Sequence, residues 1–150
     1  LYGDDHVEFL ISMNQGEDPK PLAKTASGGE LSRLMLGLKI IFTHLQGIST
    51  VIFDEIDTGV SGPVASSIGK KMKLLSKSTQ VFSVTHLAQV ASCADQNYFV
   101  SKTDTDGVTH SSVKRLNKKE TIEQLALIAS GEVTKASLKA ASELYKRNQQ

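Results

Sequence analysis

Thr50-Val51-Ile52-Phe53-Asp54-Glu55 is the stretch that decides the reading of this chain. A short apolar run rich in β-branched residues stops abruptly at two adjacent carboxylates. This is the pattern of a buried parallel strand that carries acids to the carboxyl edge of a sheet, where α/β folds place their ligands. Taken alone, it also fits a strand followed by the N-cap of a helix. The sequence on either side separates the two readings.

Upstream, Ser27-Gly28-Gly29-Glu30-Leu31-Ser32-Arg33 opens a long amphipathic helix. Leu31, Leu34, Met35, Leu38, Ile41, Phe42 and Leu45 recur at helical spacing, and Gly47 supplies the stop. Ser27 and Glu30 stand in capping-box relation, which by itself describes a well-made helix start. The paired glycines suggest more, because glycine near a helix start costs roughly 0.5–1 kcal/mol against alanine. In return it bares backbone N–H groups at the positive end of the helix dipole, where an anion such as a phosphate can approach.

Downstream, Gln80-Val81-Phe82-Ser83-Val84-Thr85 forms a second strand-like run and ends at His86. Between the two runs, Ser61-Gly62-Pro63 provides a cap and an early helical proline. Val64, Ile68, Met72 and Leu75 then continue an apolar stripe. Strand, helix, strand is a right-handed crossover unit. If the strands are parallel neighbours, His86 falls at the same edge as Asp54 and Glu55. A lone histidine after a strand is otherwise a turn residue.

Together these motifs resemble those of ATP-binding-cassette ATPases. Ser27-Gly28-Gly29-Glu30 with Leu31-Ser32-Arg33 is similar to their signature motif, and Val51 to Glu55 to their Walker B strand. Asp57 to Gly62 stands in the place of the D-loop, and Ser83 to His86 in that of the switch-histidine strand. Glu30 after the glycines, and Ser61-Gly62 in place of Leu-Asp, depart from transporter cassettes and fit the branch related to structural maintenance of chromosomes (SMC), in particular its bacterial DNA-repair members. The resemblance runs from about Val7 to Tyr145.

It implies an α/β fold: the C-terminal half of a P-loop ATPase head, with a mostly parallel sheet, flanking helices, and a C-terminal hairpin plus two helices. It also implies site roles. Asp54 would help hold Mg²⁺ through a water, and Glu55 would activate the attacking water. Ser27, Gly28, Gly29 and Glu30 would bind ATP held by a second head. His86 would contact the γ-phosphate, while Asp57, Ser61 and Gly62 would line the seam between heads. The implied cofactors are ATP and Mg²⁺. The implied partners are an N-terminal Walker A half of the same protein, a second identical head, and DNA through the whole assembly. Another cassette head, or an interaction module that has lost turnover, remain the alternatives.

No GxxxxGK[ST] P-loop occurs; Gly62 to Gly69-Lys70-Lys71 has the wrong spacing and lacks the Ser or Thr. The chain starts at Leu1 and contains no coiled-coil heptads, so residues 1–150 read as one domain, the C-terminal lobe of a split head. No 18-residue apolar run or signal peptide occurs, which predicts a soluble intracellular domain without a membrane, and the resemblance implies a cytoplasmic, nucleoid-associated protein. The single Cys93 predicts a reducing compartment. His6, His44, His86 and His110 lack zinc spacing. A net charge of +1 argues against DNA binding by a dominant basic field, and Lys70-Lys71-Met72-Lys73 reads as a solvated helix face.

Elsewhere, Val7 to Met13 is strand-like and a loop with Gly16, Pro19 and Pro21 leads to the signature helix. Asn97 to Lys102 and Val108 to Leu116 form a hairpin around Asp106-Gly107. Asn117 and Glu120 cap a helix with Ile122, Leu125 and Ile128 inward. Leu138, Ala141, Leu144 and Tyr145 mark the last helix.

Overall fold

The computed structural model of the chain describes residues 3–12, 15–25, 28–54, 56–105 and 107–149. Its centre is a parallel pair. β3 (Thr50–Asp54) and β4 (Gln80–Val84) run side by side from Thr50↔Gln80 to Asp54↔Val84. α3 (Gly62–Leu75) is the crossover between them. The α/β class follows from this unit. Among the described residues the parallel sheet is this pair alone rather than the larger, mostly parallel sheet expected, and two separate antiparallel pairs accompany it.

β3 alternates strictly. Val51 and Phe53 are 8% and 4% exposed, whereas Ile52 between them is 70% exposed. The strand is therefore buried on one face, not on both as its continuous apolar run suggests. Ile52, its register partner Phe82, and Val84 make up an open outer face. The inner face packs on Ala65, Ile68, Met72 and Leu75 of α3 and on Val90. Val64, placed in the inward stripe by spacing, is 40% exposed; Ala65 and Gly69 take the inner side instead. Gly69 lets α3 pack closely against residues 89–93, because a Cβ there would meet Cys93 Sγ at 2.8 Å. Lys70 and Lys71 face solvent as expected, and Lys73 pairs with Asp95.

The chain enters through β1 (Leu10–Ile11) and β2 (Lys20–Pro21), a short antiparallel pair, and α1 (Leu22–Thr25). The predicted strand from Val7 thus shrinks to two residues, with Met13 outside the described region, and Pro21 pairs instead of looping. A proline is tolerated in so short an edge strand because it removes no ladder donor that a central strand would need.

α2 (Gly28–Gln46) starts and stops where the sequence predicts. Gly47 has φ 62°, and the Ile48 N–H donates back to the Thr43 carbonyl at 3.2 Å, the closing bond of a Schellman stop. Its buried side is not the predicted stripe. Leu36 and Thr43 are buried and Ile40 packs on the core, whereas Leu31, Met35, Leu38, Ile41, Phe42 and Leu45 are exposed. The wider apolar face of this helix is left uncovered.

After α4 (Ala88–Ala91), β5 (Tyr98–Thr105) and β6 (Val108–Arg115) form an antiparallel hairpin. Its first strand runs three residues beyond the predicted Lys102. Gly107 at φ 77° takes the turn, and Asp106 lies outside the described residues. α5 (Lys118–Ser130) and α6 (Lys135–Asn148) complete the chain. Each opens with a full capping box. Asn117 Oδ1 accepts from Glu120 N at 3.0 Å while Glu120 accepts from Asn117 N at 2.9 Å, and Thr134 and Ser137 repeat the arrangement. Ala88, Leu125, Ala126 and Ala141 form their core, with Ile122, Leu138, Leu144 and Tyr145 against it. Ile128, predicted inward, is 42% exposed. No helix among the described residues is long and apolar enough to cross a membrane.

Candidate functional site

The in-register parallel pair fixes one edge of the molecule. Asp54 is the last residue of β3 and Val84 the last of β4, and they are Cα partners. The two strands therefore end level. Asp54 is exposed at that edge, and the chain leaving β4 carries Thr85 and then His86, whose side chain is 65% exposed. Glu55 and Ser27 lie outside the described residues. Gly28, Gly29 and Glu30 form the first turn of α2; nothing is described of the side chains of Glu30, Arg33 or His44.

α2 passes into β3 through a three-residue connection, 47–49, and Leu36 packs in the core that holds Val51 and Phe53. The start of the helix lies eight residues before Leu36, about 12 Å further along the axis at 1.5 Å per residue. The helix start therefore extends past the level of Leu36 rather than folding back beside it.

The turn after β3 holds a cluster that the sequence did not reveal. Asp57 is fully buried. One of its carboxylate oxygens, Oδ2, accepts a hydrogen bond from the Thr85 hydroxyl, and the other, Oδ1, lies 3.7 Å from His86 Nδ1. The Thr85 hydroxyl in turn accepts the Leu87 N–H at 3.0 Å. Oδ1 has no hydrogen-bond partner among the described residues. Spacing alone puts Asp57 in a loop between a strand and a helix, where aspartate is ordinarily solvated. The pairing that buries it joins residues 28 positions apart, which no local pattern encodes.

Ser61 and Gly62, by contrast, are exposed. Ser61 holds the N-cap position of α3 in extended conformation, but its side chain makes no capping hydrogen bond, so the predicted cap is a backbone one only. Gly62 adopts φ 52°, a left-handed conformation that favours glycine. Together with Gly59 at φ 72° it turns the chain from the strand end onto α3.

For Mg²⁺, a hard ion that keeps part of its water shell, one exposed carboxylate at the edge is a suitable anchor, and Asp54 fits that need. No group of three or more His, Cys, Asp or Glu gathers into a metal cluster among the described residues. Cys93 takes no part. It is buried beside Gly69, and burial pushes its thiol above the ordinary 9.0. A cavity of about 540 Å³ lies away from the edge, at the foot of the hairpin between Asn97, Arg115, Lys118 and Tyr145.

No family model matches the chain. Among curated proteins it is similar to the DNA repair protein RecN of several bacteria. It is 48% identical to that of Halalkalibacterium halodurans over 143 residues, which is 95% of this chain and 25% of the relative. It is 48% identical to that of Bacillus subtilis over 149 residues, 99% of this chain and 26% of the relative. For Vibrio cholerae the identity is 43%, over 95% of this chain and 26% of the relative. The chain thus spans about a quarter of the length of the curated relatives it matches.

Two solved structures share its fold. One comes from work described as the structural biochemistry of ATP-driven dimerization and DNA stimulated activation of SMC ATPases. It has a TM-score of 0.60 and 23% identity, over 79% of this chain and 70% of that one. The other is the Smc head domain with a coiled coil and joint from Pyrococcus yayanosii, at TM-score 0.60 and 24% identity over 73% of this chain and 20% of that one.

Proposed function

The sequence of this chain matches the C-terminal part of RecN and its fold is that of an SMC ATPase head, and on that premise we propose that it is the C-terminal lobe of a split, ATP-hydrolysing head acting in DNA double-strand-break repair. The observation that carries the proposal is the level ending of β3 and β4, which brings Asp54 and the His86 segment to one sheet edge. The order of the motifs along the chain, and the similarity of the chain to RecN over 95% or more of the chain's own length, support it.

In this reading the whole protein binds ATP between two identical heads. The Walker A half of the same polypeptide cradles the phosphates and covers the apolar faces of α2 and β3 that are open here. Asp54 holds Mg²⁺ through a water, and the ion, when bound, offsets phosphate charge. Glu55 orients the attacking water and takes its proton, a positioning role that needs little covalent chemistry. Ser27, Gly28 and Gly29, with Glu30 completing the signature, present donors at a helix start to the γ-phosphate bound on the opposite head. His86 contacts the γ-phosphate of the nucleotide held by its own head. Exposed Ser61 and Gly62 lie along the seam, and Asp57 acts from beneath it. DNA engages the full-length assembly, in the cytoplasm at the nucleoid.

The test is ATP hydrolysis by the chain alone, and by the chain co-expressed with a Walker A segment, with Glu55→Gln as control. Turnover is expected only in the combined sample, with Glu55→Gln lowering it on the order of 10²–10⁴-fold while ATP-driven pairing persists. Unchanged turnover in Glu55→Gln would remove Glu55 from the base role. A combined sample that folds, pairs and never hydrolyses ATP would turn the reading toward an interaction module.

A further inference from the structure

We propose that Asp57 is the positioning residue for His86: a buried carboxylate that, anchored by Thr85, holds the imidazole by Nδ1 and turns Nε2 outward to the sheet edge. This deepens the ATPase reading and rests on it for the role of His86.

The geometry is over-determined on one side and incomplete on the other. The Thr85 hydroxyl has a single proton. It accepts the Leu87 N–H at 3.0 Å on a lone pair, and because a carboxylate oxygen can only accept, the proton goes to Asp57 Oδ2. The carboxylate is thereby pinned at one oxygen. Its other oxygen is buried with no hydrogen bond among the described residues, an arrangement that native proteins rarely leave standing. His86 Nδ1, at 3.7 Å, is the cation-capable group in ionic reach of that oxygen among the described residues. The separation exceeds a hydrogen bond by several tenths of an ångström, and a small rotation of an imidazole that is 65% exposed closes it. Sites without ligand commonly show such contacts long, and they tighten when the ligand arrives.

The consequence is a choice of tautomer. An acceptor under Nδ1 demands the proton on Nδ1, and which ring nitrogen carries the proton is set by the partner of the other. Nε2 is then the atom presented to the edge where Asp54 ends β3. A ring carrying protons on both nitrogens would keep this Nδ1 contact while donating from Nε2 to a phosphate oxygen. In the whole head, Asp57 therefore sets which atom of His86 meets the nucleotide without touching the nucleotide itself.

The test is ¹⁵N NMR of the histidine-labelled chain, alone and paired with a Walker A segment, above the pH at which the imidazole is neutral. The His86 signal is assigned by its loss in His86→Gln. In the unmodified chain Nδ1 is expected in its protonated form. In Asp57→Asn the amide N–H₂ faces Nδ1, so the proton moves to Nε2. In the paired sample the same variant lowers kcat roughly 10- to 100-fold with little change in KM, as loss of an outer partner of a functional histidine does. A bare Nδ1 in the unmodified chain overturns the proposal, even if Asp57→Asn fails to fold. A protonated Nδ1 in a paired sample that does not hydrolyse ATP upholds the orientation and overturns the ATPase reading instead.

Discussion

The α5–α6 pair and the α2–β3–β4 unit handle apolar surface in opposite ways. The terminal helices close on themselves. Both carry full capping boxes, Gly131 ends α5 at φ 77° with its N–H on the Leu127 carbonyl at 2.8 Å, and Leu125 is 1% exposed. The central unit is only half finished. One face of β3 is sealed by α3, while Ile52, Phe82 and Val84 on the other face, and most of the apolar side of α2, lie open. Parallel sheets are normally covered on both faces, and exposed apolar patches of this kind mark places where something else docks. On the proposed reading, the difference separates a region whose sequence serves its own stability from one whose sequence serves an assembly.

Three substitutions test that separation. The largest effect is expected at the closed end: Leu125→Ala removes a fully packed side chain and should cost about 2–5 kcal/mol in denaturant unfolding. A loss under about 1 kcal/mol there would mean that the terminal core is loosely packed and the contrast overstated.

A smaller effect is expected at its cap. Asn117→Ala should cost about 1 kcal/mol near neutral pH. The cap also has a pH signature. The hydrogen bond from Lys114, and then the N–H of Asn117, hold the Glu120 carboxyl below its ordinary 4.5. A carboxylate depressed in the folded state adds stability that is present above its unfolded value and lost as pH falls through its folded value. The gap between the parent and Glu120→Gln, which keeps the backbone partners but removes the titrating carboxyl, should therefore narrow on acidification below that range. A gap that stays constant through acid unfolding would detach Glu120 from the cap.

The smallest effect on folding is expected on the open face. Ile52→Thr keeps a β-branched residue in the strand and should change the stability of the isolated chain by no more than about 0.5 kcal/mol, while weakening capture of a Walker A segment. A large loss of stability in the isolated chain, or unaltered capture, would show that this face is not an assembly surface.

What the sequence made legible follows the same division. The β3 and β4 strands, the limits of α2 and the Asn117–Glu120 cap rest on local chemistry: alternation, a glycine stop, a capping box. The sequence could not tell which face of α2 is buried. Leu31, Met35, Leu38, Ile41 and Phe42 form the stronger apolar stripe, yet Leu36, Ile40 and Thr43 meet the core of this lobe. Periodicity reports that a face is destined for burial, not by which neighbour. Val64 and Ile128 were misplaced for the related reason that a one-position rotation of a helix leaves the pattern nearly unchanged. At the edge, the positions of Asp54 and His86 at strand ends were legible, whereas the Thr85–Asp57–His86 contact was not, because its members meet only after two strands pair.

The level ending of β3 and β4 carries a further consequence. The offset between the acid-bearing strand and the histidine-bearing one is written in backbone hydrogen bonds, and backbone ladders have discrete settings. A shift by one residue would move one strand about 3.3 Å along the other and turn every inward side chain outward, Val51 and Phe53 included. A shift by two would restore the faces but part the strand ends by more than 6 Å. The edge behaves as a notched gauge with one working notch: small strains in the surrounding helices leave the spacing unaltered, and only a change large enough to break the strand pairing resets it.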